Sequence, residues 1–77
     1  MGLLSENDYK ALDNAMKRRK EIVLEHTLGG TSLMAKTLRV GPPWEVPIIL
    51  QVRVVKGGFF WVQNFASIEE AKRYVKD

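Results

Sequence analysis

His26 is the only histidine in the chain, and two carboxylates lie near it in sequence, Glu21 and Glu25. A tetrahedral metal site needs more ligands than these, and a hydrolytic site needs a nucleophile, a base and a group that orients the base. The chain has no cysteine, and Ser5 and Ser67 are placed to cap helices. We therefore expect no catalytic residue, no metal and no other cofactor, and we interpret this acidic segment as a solvated surface.

The densest charge run comprises Lys17, Arg18, Arg19 and Lys20. Consecutive helix residues are about 100° apart around the axis, so this run would surround a helix and would not line one face. Arg19 would lie nearest the apolar stripe and would have to extend its charged end to solvent or pair with a carboxylate. We favour a solvated surface, and the alternative is a secondary basic patch that contacts nucleic acid or an acidic protein.

The segment KGGFFWVQNF contains three consecutive aromatic residues, Phe59, Phe60 and Trp61. Successive side chains of a strand point to opposite faces, so at least one of these rings must turn away from the others. A two-residue turn at Gly57-Gly58 puts Phe59 and Trp61 inside and Phe60 outside, together with Val62 and Asn64. A three-residue turn that includes Lys56 reverses this assignment, and the sequence leaves both alternatives open.

The residue pattern of the preceding strand predicts which face of the sheet is buried. Ile48, Leu50, Val52 and Val54 form one wholly apolar face, which we expect to pack against helices. Gln51 and Arg53 occupy the other face and point outward with either turn. A face that combines aromatic rings, amides and a guanidinium can anchor a protein or stack on bases. The predicted partner-binding residues are Gln51, Arg53, Lys56, Phe59, Phe60, Trp61 and Trp44.

Trp44 follows a stiff segment, Gly41-Pro42-Pro43. Paired prolines favour an extended conformation and lower the entropy cost of presenting a side chain to a partner. Trp44 therefore lies either at the rim of the binding surface or folded back over the edge of the core, and both interpretations remain open.

The first element is predicted to be a helix capped by Ser5, with Leu4 and Tyr9 positioned as a hydrophobic staple. Apolar residues continue at helical spacing, and no glycine or proline follows until Gly29-Gly30. We expect one long helix that ends at these glycines. The alternative is a strand over residues 21–27, followed by a hairpin turn at the glycines.

Three strands are predicted to follow, over residues 31–40, 48–55 and 59–64. Ser67 and Glu70 have the spacing of a capping box, which begins a second helix. We therefore predict a single small α+β domain over residues 1–77. It would contain a long N-terminal helix, a three-stranded antiparallel sheet and a short C-terminal helix, in the order α-β-β-β-α. Helices on one side of such a sheet can leave its other face exposed.

The final segment, FFWVQNFASIEEAKRYV, resembles the last strand and helix of small DNA-binding domains built on a three-stranded sheet. The plant AP2 type and the arm-binding domains of tyrosine recombinases have a similar F-x-S/T-x-E-E-A transition. The resemblance covers roughly the last 20 residues and implies a β-β-β-α order with DNA as a partner. The chain lacks the arginine cluster that those domains carry on their first strand, and no functional residue is transferred.

The net charge of the chain is +3, and the whole excess lies in residues 31–65. This segment contains four basic side chains and a single acidic one, Glu45. Such a modest excess is smaller than that of proteins specialised for nucleic acid. No apolar run is long enough to span a membrane, so we expect a soluble, cytoplasmic protein. We predict a non-enzymatic regulator, inhibitor or complex subunit that binds a protein partner. Nucleic acid is the alternative partner, and a homodimer is the third interpretation.

Overall fold

The computed structural model describes residues 3–42, 44 and 47–75. The chain forms helix α1, four strands and helix α2, which span Glu6–Lys17 (α1), Val23–Leu28 (β1), Thr31–Arg39 (β2), Ile48–Lys56 (β3), Phe59–Phe65 (β4) and Ile68–Tyr74 (α2). The strands form one antiparallel sheet in the order β1-β2-β3-β4. The α+β prediction is confirmed, but the predicted three-stranded sheet is wrong because β1 adds a fourth strand.

Helix α1 begins at the predicted cap. The Asp8 backbone N–H donates to Ser5 Oγ over 3.2 Å, and the Ser5 N–H donates to Asp8 Oδ2 over 2.9 Å. These reciprocal bonds form a capping box with aspartate in the place of the usual glutamate. Tyr9, Leu12 and Ala15 are buried on the face that packs on the sheet.

The predicted long helix is wrong, because α1 ends at Lys17 and residues 23–28 form β1. Arg19 adopts a left-handed conformation with φ +56°, which a continuing right-handed helix cannot contain. The Lys20 N–H donates to the Ala15 C=O over 2.8 Å and completes the helix end. The β-branched pair Ile22-Val23 then enters extended structure, as the alternative prediction proposed.

Thr37 holds this chain reversal in place from the neighbouring strand. Its buried hydroxyl donates to the Lys20 C=O over 2.6 Å and accepts from the Ile22 N–H over 2.9 Å. The Thr37 N–H also donates to the Ile22 C=O over 3.0 Å. These bonds satisfy backbone groups that leave the helix before β1 pairing begins, so the side chain substitutes for a missing part of the ladder.

Both hairpin turns contain two glycines. At Gly29-Gly30 both φ angles are positive, +56° and +80°, as a type I′ turn requires. Lys56 pairs with Phe59 across the second turn, and Gly57 alone has a positive φ there, +58°. The β3-β4 connection is therefore a two-residue turn, which selects the first of the two predicted registers.

The core lies between the two helices and one face of the sheet. The cluster of buried apolar side chains consists of Leu4, Tyr9, Leu12, Leu33, Ala35, Leu50, Val52, Phe65, Ile68, Ala71 and Val75. All of its strand residues share one face, which we call the helix-side face, and this confirms the predicted orientation of Leu50 and Val52. The opposite face, which the helices do not cover, we call the outer face.

Helix α2 starts at Ser67, whose Oγ accepts from the Glu70 N–H over 3.2 Å. The Glu70 carboxylate accepts from the Ala66 N–H over 3.3 Å and not from Ser67, so the predicted box is formed with the residue before the cap. Tyr74, the last residue of α2, is exposed and stacks on Phe65 with ring centroids 6.2 Å apart.

The loop between β2 and β3 is bracketed by a bond from the Val40 N–H to the Pro47 C=O, over 3.0 Å. Gly41 has φ +88° beside the Pro47 ring. Trp44 is 82% exposed, which favours presentation over folding back onto the core. Pro43, the second proline of the predicted stiff segment, lies outside the described residues.

Candidate functional site

The outer face is the candidate site, and the strand pairing sets its composition. Side-chain alternation places these residues on it: Val23, Glu25 and Thr27 from β1; Ser32, Met34, Lys36 and Leu38 from β2; Ile49, Gln51, Arg53 and Val55 from β3; and Phe60, Val62 and Asn64 from β4. The continuous antiparallel register aligns them in rows across the sheet. One central row runs Glu25, Met34, Arg53, Val62.

Apolar side chains occupy the β3-β4 half of the outer face. Phe60 is 61% exposed and Val62 is 40% exposed, and Val55 is exposed directly opposite Phe60. Water contacts all three, although residues of these types are usually buried. Val55, Phe60 and Val62 therefore form one contiguous exposed apolar group on this half of the face.

Two polar contacts order the middle of this face. The Arg53 guanidinium carbon lies 5.9 Å from the centroid of the Phe60 ring, at cation–π distance. Gln51 Nε2 donates to Asn64 Oδ1 over 3.1 Å, across the same strand pair. The guanidinium and the ring therefore lie close enough to interact within the chain itself.

The structure divides the predicted partner-binding residues between the two faces. Gln51, Arg53 and Phe60 share the outer face, as a two-residue turn requires. Phe59 and Trp61 share the helix-side parity, and by alternation so does Lys56. The predicted residues therefore do not form one surface, because the register separates neighbours in sequence.

Sequence reasoning missed the β1 and β2 contributions to the outer face. Glu25, Met34 and Lys36 extend it beyond the hairpin. For β2, the sequence alternates in a way that could have predicted its outward residues. Leu33, Ala35 and Thr37 point inward, and Met34 and Lys36 between them point outward. Glu25 was missed because residues 21–27 were expected to be helical.

A cleft of about 250 Å³ opens on the helix-side face next to β4. Its wall includes Val54, Phe59, Trp61 and Tyr74. Phe59 is 58% exposed, whereas Trp61 is half-buried and its ring centroid lies 6.4 Å from that of Phe65. Trp61 therefore contributes mainly to packing, and Phe59 is the exposed ring on this side.

The secondary basic patch does not surround a helix as predicted. Lys17 is the last residue of α1 and pairs with Asp13 over 3.0 Å. Arg18, Arg19 and Lys20 lie in the exposed turn that follows. Arg39 joins them, because its guanidinium donates to the Arg19 C=O over 2.8 Å and 3.3 Å. This cation closes the helix end and has a structural role.

The residues around His26 point in different directions. His26 Nε2 lies 3.0 Å from Asp8 Oδ2 on the helix side, whereas Glu25 belongs to the outer face. Glu21 accepts from the Arg39 N–H over 3.3 Å.

The backbone N–H of Ser5 holds the pKa of Asp8 below its usual value. Burial opposes this shift, and the Ser5 hydroxyl and His26 reinforce it. In residues 3–42, 44 and 47–75, no three His, Cys, Asp or Glu side chains are grouped so that they could hold a metal ion.

No protein-family model, curated protein or solved structure matches this chain. The likeness of the last strand and helix to DNA-binding domains therefore gains no support at the level of the whole chain. Within the described part of the chain, neither helix has the length and apolar character needed to cross a bilayer.

Proposed function

We propose that this chain is a small non-enzymatic binding module that docks on a partner protein through the outer face of its sheet. The observation that carries the proposal is the exposed apolar group formed by Val55, Phe60 and Val62 around Arg53. Aromatic residues, methionine and arginine are enriched at protein interfaces, and arginine and aromatics recur among the residues that dominate binding energy.

The arrangement of this face resembles the general anatomy of a protein interface. Apolar side chains occupy its β3-β4 half, with Met34 next to Arg53 in the same row. Charged and amide groups lie beside them, with Glu25 and Lys36 on the β1-β2 half and Gln51 on β3. In a protein interface the apolar part is closed to water, and neighbouring polar groups orient the partner.

The charges of the outer face favour protein over nucleic acid. Arg53 and Lys36 are its cations, and Glu25 lies in the same row as Arg53. Nucleic-acid affinity depends on several lysines and arginines that neutralise phosphates. Phe60 is the only aromatic ring that the outer face offers within the described residues, and Arg53 already contacts it. A strand-stacking surface normally presents several free rings.

The experiment compares adjacent residues that point to opposite faces. Phe60→Ala and Phe59→Ala remove the same ring from neighbouring positions with nearly equal exposure, 61% and 58%. Arg53→Glu on the outer face is matched by Arg73→Glu on α2, which is also exposed. Each variant and the wild type are immobilised, and bound proteins are quantified after incubation with a cell extract.

We expect a protein that is retained by the wild type, Phe59→Ala and Arg73→Glu but lost with Phe60→Ala and Arg53→Glu. Circular dichroism of each variant checks that the fold is intact. Equal retention by all four variants would refute docking on the outer face. A parallel titration with labelled single-stranded and duplex DNA distinguishes the alternative partner. Binding that falls steeply with salt and is lost with Arg53→Glu would show a nucleic-acid module instead.

A further inference from the structure

Strand β4 is the last strand of the sheet, and its second edge is not paired within the described residues. Hydrogen-bonded and non-bonded residue pairs alternate along an antiparallel ladder. The residues that flank a two-residue turn bond to each other, so Phe59, Trp61 and Gln63 bond to β3. The N–H and C=O groups of Phe60, Val62 and Asn64 therefore point away from the sheet.

This edge lacks the features that normally prevent strands from pairing between molecules. The β4 sequence, FFWVQNF, has no charged residue and no proline. Its pairing with β3 is continuous from Lys56↔Phe59 to Leu50↔Phe65, without a bulge. Proteins usually protect an edge with charges, proline, bulges or a short strand. The opposite edge strand, β1, carries Glu25 at its centre.

Exposed apolar side chains flank this edge on both faces. Phe60 and Val62 lie on the outer face, and Phe59 and Tyr74 lie beside the cleft on the helix side. A strand added to β4 would cover parts of both groups, whereas a partner on one face would cover only one of them. The edge accordingly combines free backbone groups with apolar surface above and below.

We propose that β4 pairs antiparallel with β4 of a second copy of this chain, around a two-fold axis at Val62. Phe60, Val62 and Asn64 then donate and accept across the axis. Phe60 lies opposite Asn64 of the second copy, Trp61 lies opposite Gln63, and Phe59 lies opposite Phe65. Self-pairing requires a strand that does not repel itself, and the uncharged β4 meets this condition.

Repulsion between the nearest outer-face cations of the two copies is weak in this arrangement. Arg53 is one strand away from Val62 in the same row, so two copies of Arg53 lie about 14 Å apart, which is three strand spacings. That separation exceeds the screening length of roughly 8 Å at physiological ionic strength. An isologous contact of this kind closes on itself as a dimer and leaves the β1 edges outermost.

The proposal goes beyond docking and does not depend on it. A two-fold axis perpendicular to the sheet keeps both outer faces on the same side. The dimer would therefore present one continuous outer face to a partner, with the helices of both copies on the other side. A homodimer formed face to face would instead bury the outer face and compete with docking.

The first test measures the molecular mass of the full chain in solution and the exchange rates of its backbone amides. Light scattering after size exclusion should give twice the chain mass of 8.8 kDa and should shift toward the monomer over about a thousandfold dilution. By NMR, the amides of Phe60, Val62 and Asn64 should exchange at least about tenfold more slowly in the dimer than in the monomer. The matching β1 amides, Val23, Glu25 and Thr27, should exchange rapidly in both.

A proline pair tests the edge directly. Val62 and Glu25 lie in the same row at opposite edges, and the N–H of each points away from the sheet. Val62→Pro should give a monomer, whereas Glu25→Pro should leave the dimer intact. A monomeric wild type at every concentration, a dimer with unprotected β4 amides, a dimeric Val62→Pro or larger assemblies would each overturn the proposal. If Val62→Pro does not fold, amide exchange in the wild type decides.

Discussion

Replacing Thr37 with valine should destabilise the protein through the segment that joins α1 to β1. The change removes one hydroxyl that bonds to both Lys20 and Ile22, at 2.6 Å and 2.9 Å, and keeps a β-branched side chain. Each net hydrogen bond contributes about 0.5–1.5 kcal/mol, so the loss is about 1–3 kcal/mol. The added methyl group recovers up to about 0.8 kcal/mol. We expect the free energy of unfolding to fall by roughly 1–2 kcal/mol overall.

Urea unfolding followed by circular dichroism measures this change, and the melting temperature should fall by about 5–15 °C in a chain of this size. Thr27→Val is the matched control, because Thr27 is exposed on β1 and the same atoms change there. It should alter stability by less than about 0.5 kcal/mol. Thr37→Ser keeps the hydroxyl and should retain slow amide exchange at Ile22. If Thr37→Val matches the wild type in stability and in Ile22 exchange, the assigned role of the hydroxyl is wrong.

Two further predictions concern the β3-β4 turn and the α1 cap. Gly57→Ala should lower the free energy of unfolding by about 1–2 kcal/mol because φ is +58° at this position, whereas Gly58→Ala should leave it nearly unchanged. Equal effects of the two substitutions in urea unfolding would contradict the two-residue turn. The pKa of Asp8 is lowered in the folded state, which means that folding favours the ionised carboxylate. The stability that Asp8 contributes is therefore complete above the ordinary pKa of 3.8 and is lost as pH falls through the folded pKa. The stability difference between wild type and Asp8→Asn should therefore be larger at neutral pH than near pH 3, and a constant difference would disprove the assignment.

Local sequence patterns predicted those parts of the fold that depend on neighbouring residues. The Ser5 and Ser67 caps lie where expected, because a cap is formed within one helical turn. Leu50 and Val52 of β3 are buried on the helix side, because their alternation with Gln51 and Arg53 leaves only this face of the central part of the strand to be buried. Gln51 and Arg53 point outward for the same reason.

The strand β1 could not be assigned from its own residues. The Glu21–Thr27 segment has helical neighbours and β-branched residues, so its local preferences conflict. Pairing with β2 and the Thr37 hydroxyl, which is distant in sequence, decide in favour of a strand. Long-range contacts of this kind leave little trace in the sequence of the segment itself.

By itself the sequence determined that KGGFFWVQNF is one arm of a hairpin and that its aromatic rings must divide between two faces. Only the tertiary structure decided the division, because the two possible turns differ by one residue and each exposes different rings. With Lys56 paired to Phe59, the ring of Phe60 lies beside Arg53 on the outer face, whereas Trp61 packs near Phe65. The added strand β1 pairs with β2 and replaces it as the outermost strand opposite β4, which no local pattern specifies.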